Sequence, residues 1–397
     1  MTDCRKEADM SKGIKEILFA LLRSAIYGTP LTESEKELFS DDVIAPLYTL
    51  SKHHDMAHLV GYALEKNSLI TSDNEYFAKF HKQHMIAIYR YERINYALGE
   101  LCNALEKAKV PFIPLKGSVL RRYYPEPWMR TSCDIDILIH EYDLERAATY
   151  LVEKLSYRRE QLSSHDIQMF SPDGVHVELH YDLIEDGRVK KSPDILKDLW
   201  SDVSAKQGYE YWFEMSNEMF YFYHIAHMAK HFENGGCGLR PFLDLWILEQ
   251  KTECDREKLI TLLIRGDILT FTEASEHLAG IWFGKEERTE TISQMERYIL
   301  FGGVYGSTEN SASVRRGRAD SRFRYAVSRI FLPYDIIKFQ YPVLKKHRWL
   351  TPFCEFMRWC RLIFCGGIKR SLKELGLNKN ASRHDDAVAK MLADIGL

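Results

Sequence analysis

Between Cys133 and Ile139 the chain alternates acid and aliphatic, Asp134-Ile135-Asp136-Ile137. That pattern fits a strand, because strand side chains point to opposite faces with a period of two. Asp134 and Asp136 then share one face, and Ile135 and Ile137 point the other way into a core. Val175–Leu179 repeats the arrangement and sets Glu178 alone among aliphatics. Between these runs Asp166–Phe170 reads as a strand, and Pro172-Asp173-Gly174 turns it so that the Glu178 strand returns antiparallel. Upstream, Phe112–Leu115 is a short apolar strand that breaks at Gly117-Ser118 into a helix, continued by Leu120–Tyr124 and ended by Pro125-Glu126-Pro127. Tyr142–Leu155 is a helix packed behind the sheet.

Three carboxylates converging from two neighbouring strands repel one another unless a cation sits between them. Magnesium is the usual choice, since it takes oxygen ligands and leaves room for substrate phosphates. Gly117 lets the backbone approach a ligand closely, and Ser118 offers an N–H and a hydroxyl at a helix N-terminus, where anions are favoured. A phosphate cradle, an acid-x-acid strand and a third acid on another strand make a two-metal phosphoryl-transfer site.

These residues resemble the DNA polymerase β-like nucleotidyltransferase superfamily, with its Gly-Ser turn, acid-x-acid strand and third strand acid. The Lys116-Gly117-Ser118, Asp134–Leu138, Val177–His180 and Arg240–Leu245 blocks look closest to an uncharacterised bacterial nucleotidyltransferase family. The resemblance implies an α+β fold: a small mixed sheet with flanking helices, set between helical N- and C-terminal regions. It implies that Gly117 and Ser118 hold a triphosphate. Asp134 and Asp136 would bind metals, while Glu178 completes the metal site and helps deprotonate the acceptor. Lys116, where the superfamily often has an apolar residue, adds a phosphate contact. Cys133 stands where serine is common. Arg240 is implied near phosphates and Asp244 near the acceptor, although their i, i+4 spacing also lets them pair with each other. Arg130, shortly before Asp134, can reach a triphosphate. His180, with Asp182 on the same strand face, either touches nucleotide or acceptor or packs. Arg121 and Arg122 read as solvated helix residues.

At 397 residues the chain supports two or three domains. Residues 1–110 read as helical: Ile14–Ile26, a capping box at Thr32 and Glu35, and a long amphipathic run from Tyr76 to Lys109. The catalytic core is expected over 111–193. A helical C-terminal domain follows over 194–397, with a flexible Gly/Arg loop near 301–318 carrying Arg315, Arg316 and Arg318. His53, His54 and His58 read as surface or packing histidines. His224, His227 and His231 lie on one helix face; they line a cleft or pack, and with Cys237 they form a rival zinc motif. The segment through Lys373 is basic and interleaved with aromatics. It reads as a helical domain flanking an anionic cleft, with a membrane-surface or nucleic-acid patch as alternatives. A short amphipathic helix closes the chain.

Net charge is −3, which argues against a nucleic-acid partner. The eight cysteines form no C-x-x-C pair, and no signal peptide or spanning run is evident, so a cytoplasmic protein with reduced thiols is expected. The expected activity is transfer of a nucleoside monophosphate from a nucleoside triphosphate, ATP among them, to a hydroxyl of a small molecule or protein. Pyrophosphate leaves, and Mg2+ serves as cofactor with Mn2+ an alternative. Two other readings stand beside it: a non-catalytic nucleotide-binding regulator, and a nucleic-acid-directed transferase gripping its substrate with the basic C-terminal region.

Overall fold

A computed structural model describes residues 2–162, 166–184, 189–284, 286–304, 341–364 and 382–397, with scattered positions between 306 and 337. The architecture is α+β and mostly helical. Five helices precede the sheet: α1 (Thr2–Tyr27), α2 (Glu33–Lys36), α3 (Asp41–His53), α4 (Ala57–Lys66) and α5 (Glu75–Lys107). The capping box forms at α2: Thr32 N–H donates to Glu35 Oε2 at 2.8 Å, and Glu35 N–H donates to Thr32 Oγ1 at 3.3 Å.

The central stretch runs β1 (Phe112–Pro114), α6 (Gly117–Leu120), β2 (Asp134–Ile139), α7 (Leu144–Leu155), β3 (Arg158–Leu162), β4 (Asp166–Phe170) and β5 (His176–His180). These strands form one sheet in the order β1-β2-β5-β4-β3. β2 and β5 run parallel, and the other neighbours are antiparallel. Parallel neighbours need a long crossover, supplied here by α7, β3 and β4. One sheet face is apolar: Ile135, Ile137, Ile139, Val177 and Leu179 are fully buried against residues such as Leu101 and Leu105 of α5 and Ala147 and Leu151 of α7. Each such side chain contributes roughly 1.5–3 kcal/mol. A one-residue slip of β2 would exchange these isoleucines for aspartates, so the core fixes the face that carries the acids.

The rest of the chain continues through α8 (Ser192–Lys197), β6 (Val203–Ala205), β7 (Phe213–Met215), α9 (Asn217–Glu233), α10 (Arg240–Lys251), α11 (Arg256–Gly266), α12 (Leu269–Phe283), α13 (Glu290–Gly302), α14 (Thr351–Phe364) and α15 (Ser382–Asp394). A second core joins the N-terminal helices to α9–α13, with Phe19 of α1 stacked on Trp282 of α12 at 4.7 Å. The closing helix α15 buries Val388, Met391 and Leu392 in the same core.

Three strands go beyond the sequence reading. β3 is an edge strand of sequence Arg-Arg-Glu-Gln-Leu, with no apolar alternation to reveal it. β6 and β7 form a hairpin in a region expected to be helical. The segment leading into β7 covers the outer edge of β1, where Phe112 N–H donates to Tyr211 O at 2.9 Å. At the expected 301–318 loop, Phe301 and Gly302 instead close α13. Arg315, Arg316 and Arg318, and most of the basic segment through Lys373, lie outside the described residues. Among the described residues no helix is long and apolar enough to cross a membrane.

Candidate active site

The register of β2 and β5 builds the site. Asp134 pairs with His176, Asp136 with Glu178 and Leu138 with His180. Period-two alternation puts Asp134, Asp136, His176, Glu178 and His180 on the sheet face opposite the isoleucines. Ligating atoms of Asp134, His176 and Glu178 lie within 4.8 Å of one another, and so do those of Asp136, Glu178 and His180. His176 was not read from the sequence. Its signal was present: it stands two residues before Glu178 and therefore on the same face.

The two aspartates are in different electrostatic states. Asp136 is buried, which opposes its ionisation, but Lys116 Nζ at 2.7 Å and His180 Nε2 at 2.9 Å outweigh this and hold its carboxyl far below the usual range. His180 Nε2 also lies 3.1 Å from Glu178 Oε2. Both partners are carboxylates, so Nε2 must be the protonated nitrogen. Burial lowers the His180 pKa, but the bonds to Asp136 and Glu178 raise it overall. Hydrogen bonding from His180 in turn keeps Glu178 low. Asp134 is pushed up, first by burial and then by the neighbouring Asp136 charge. It has no ion pair among the described residues.

Lys116 reaches Asp136 from a backbone conformation with φ 44° and ψ −120°, a region that L side chains rarely adopt. Its pKa is raised because Asp136 outweighs the cost of burial. Gly117 follows, and its role is steric: a Cβ there would stand 3.1 Å from Ser132 Cβ. α6 is a single turn, and the Ser118 N–H donates to Leu115 O at 3.1 Å. The Ser118 hydroxyl is buried without a hydrogen-bond partner.

Arg121 differs from expectation. It is 5% exposed, not solvated. Its Nε donates to Gly117 O and its Nη2 to Ser132 Oγ, both at 2.8 Å, so it braces the turn from behind. Arg122 is half-exposed and pairs with Glu214 at 2.8 Å.

Arg130, Asp244 and Arg240 also sit differently. Arg130 Nε lies 2.8 Å from Asp244 Oδ1, and Asp244 is fully buried and accepts from Tyr124 Oη at 2.7 Å. The i, i+4 pair of Arg240 and Asp244 does not form. Arg240 instead binds Asp55, which also accepts from Thr131 Oγ1 at 2.9 Å. The structure therefore places Arg130 and Asp244 in a buried pair, and ties Arg240 at the start of α10 to Asp55 on the loop after α3. It brings Lys116, Asp134, Asp136, Glu178 and His180 together, with Gly117 and Ser118 beside them.

α9 forms a wall over the cluster. The Tyr223 phenol is raised by burial, and the nearby Lys116, Asp136, Glu178 and Asp134 also act on it. His227 is lowered well below its ordinary value by burial and by Lys116. His227 and His231 rings lie 4.5 Å apart, while His224 donates to Pro241 O at 2.9 Å. Among the described residues these three histidines belong to no cluster with metal-ligating geometry.

A mixed sheet that gathers three acids on one face, with a Gly-Ser turn at its margin, suits a nucleotidyltransferase. The chain belongs to that class: it is a member of the uncharacterised nucleotidyltransferase family, whose profile matches residues 42–284, more than half of its length. No curated protein and no solved structure matches it.

Proposed function

We propose that the chain transfers a nucleoside monophosphate from a nucleoside triphosphate to a hydroxyl of a small molecule or protein, on a polymerase β-like core. The observation that carries this reading is the register of Asp136 with Glu178 across two parallel strands, with Asp134 on the same face. The donor set fits a divalent cation such as Mg2+: each of two overlapping groups offers two carboxylates and one histidine, Glu178 is shared between them, and carboxylate oxygens are the ligands Mg2+ prefers. When bound, such a cation supplies charge neutralisation to the phosphoryl oxygens.

The chain's own residues have separable tasks. Lys116 and His180 keep Asp136 ionised and fixed. Glu178, with a fifth of its side chain exposed, is held ionised and accepts the proton of the acceptor hydroxyl. That oxygen bonds to the α-phosphorus, and the bond from it to the bridging oxygen of pyrophosphate breaks. Lys116 and Ser118 face the triphosphate, while Arg121, Arg130 and Asp244 position the turn and the loop before β2.

A second reading, a nucleotide-binding regulator without transfer, is favoured by one observation: Lys116 already neutralises Asp136. Thermal shift with the four ribonucleoside triphosphates, with and without Mg2+, tests the donor site. Mg2+-dependent stabilisation by a triphosphate, lost in Asp136→Asn, supports the transferase. Stabilisation that needs neither Mg2+ nor Asp136 supports the regulator.

A further inference from the structure

Helix α14 exposes the side of itself that a helix in water ordinarily buries. Phe353, Phe356 and Met357 stand at i, i+3 and i+4 and therefore share one face. That face points out: Phe353 is 60% exposed, Phe356 64% and Met357 47%. The opposite face turns in, with Cys354 buried beside Leu344 and Glu355 only 5% exposed. Glu355 is neutralised there by Arg358, whose Nε and Nη2 both lie 2.8 Å from its Oε2. A surface helix ordinarily hides its apolar stripe and shows its charges. Large apolar side chains grouped outside mark a surface that meets a partner.

The chain around that face says what the partner is. Pro342–Lys345 and Arg348–Leu350 are short 3-10 turns that lead into α14. Lys346, His347, Arg348 and Trp349 are all exposed there. The Arg348 guanidinium lies 4.5 Å from the Tyr334 ring centroid. From Tyr341 to Lys373 the sequence carries eight Lys and Arg against one acid, Glu355, and that acid is already paired. The excess is local, since the whole chain has a net charge of −3. Cations and rings are also segregated. Among the described residues the exposed cations gather before the helix, and the apolar side chains run along it. Single-stranded nucleic acid favours the opposite layout, with rings set among the cations so that bases stack along a charged groove. A lipid surface separates the two, with phosphates outside and acyl chains within.

We infer that α14 and the turns before it dock on an anionic lipid membrane, lying in the interface. Phe353, Phe356 and Met357 enter the boundary between headgroups and acyl chains. Trp349 sits at headgroup level, and Lys346 and Arg348 meet the lipid phosphates. At 14 residues the helix is too short to span a bilayer, so it lies along the surface. Docking of this kind is separate from nucleotidyl transfer at the acid face.

Co-sedimentation of the full chain with vesicles of phosphatidylcholine, with and without phosphatidylglycerol, tests this. The chain is expected to bind the anionic vesicles, less tightly as salt rises, and to bind phosphatidylcholine alone at least about tenfold more weakly. Phe353→Ser/Phe356→Ser removes both rings and is expected to weaken binding about tenfold or more. Lys346→Glu/Arg348→Glu is expected to abolish the preference for anionic lipid. Thermal unfolding checks that each variant is folded, and the serine pair, which alters only exposed rings, decides the matter if the charge variant is not. No binding of the wild type to anionic vesicles, equal binding to both compositions, or undiminished binding of the serine pair would overturn the proposal. So would binding of a single-stranded RNA oligonucleotide without binding of vesicles, or a dimer in analytical ultracentrifugation that the serine pair loses while vesicles stay unbound.

Discussion

Lys116 Nζ lies 2.7 Å from Asp136 Oδ1, joining the turn before α6 to the acid strand through a carboxylate that is only 3% exposed. The lysine occupies the place of a counter-ion. Replacing it with methionine leaves Asp136 with His180 alone, and removing one partner of a buried pair costs roughly 3–5 kcal/mol. Lys116→Met is therefore expected to lower the urea midpoint and to gain more from added Mg2+ than the wild type does. Equal Mg2+ responses in the two proteins would mean that Lys116 does not compete for the site.

Arg130 and Asp244 form the second buried pair. Arg130→Met strands a fully buried carboxylate held otherwise by Tyr124, with an expected loss of roughly 3–5 kcal/mol. The double variant Arg130→Met/Asp244→Leu removes both charges and is expected to recover part of it. Urea unfolding of both proteins measures the coupling, and additive losses would contradict it.

Buried histidines make the fold acid-sensitive. His54 and His58 donate to Leu300 O and Met129 O, and burial drops each from the ordinary 6.5 to about 4. The unfolded chain binds their protons first, so the neutral forms stabilise the fold above pH 6.5. That stability is lost as pH falls from about 6.5 through about 4. The urea midpoint should fall between pH 7 and pH 5, and should fall less in His54→Gln. A flat profile over that range would refute this.

Gly117→Ala introduces a Cβ 3.1 Å from Ser132 Cβ. Overpacking of this kind costs typically about 1–3 kcal/mol. Stability should fall, and Ser132→Gly in the same chain should restore part of it, as read by thermal unfolding. No rescue would place the strain elsewhere.

The acid face was legible because period two and a fixed core leave little freedom: Asp134, Asp136 and Glu178 follow from alternation. The turn at Gly117 was legible too, though its cause was not, since Ser132 lies fifteen residues further along the chain. Long-range partner choice was illegible. Arg240 binds Asp55 across 185 residues, and Arg130 finds Asp244 across 114, while the local Arg240–Asp244 spacing stays unused. β3 was hidden because an edge strand of charged residues carries no apolar pattern.

Nucleotidyl transfer through the Asp134, Asp136 and Glu178 site would carry the α-phosphorus of the nucleoside triphosphate to the acceptor. Incubating the protein with Mg2+, a small-molecule extract and a nucleoside triphosphate labelled at either the α- or the γ-phosphate tests it directly. The α-label is expected to pass to an acceptor while the γ-label leaves as pyrophosphate, and Asp136→Asn is expected to do neither. Transfer of the γ-label instead, or transfer that survives Asp136→Asn, would contradict it.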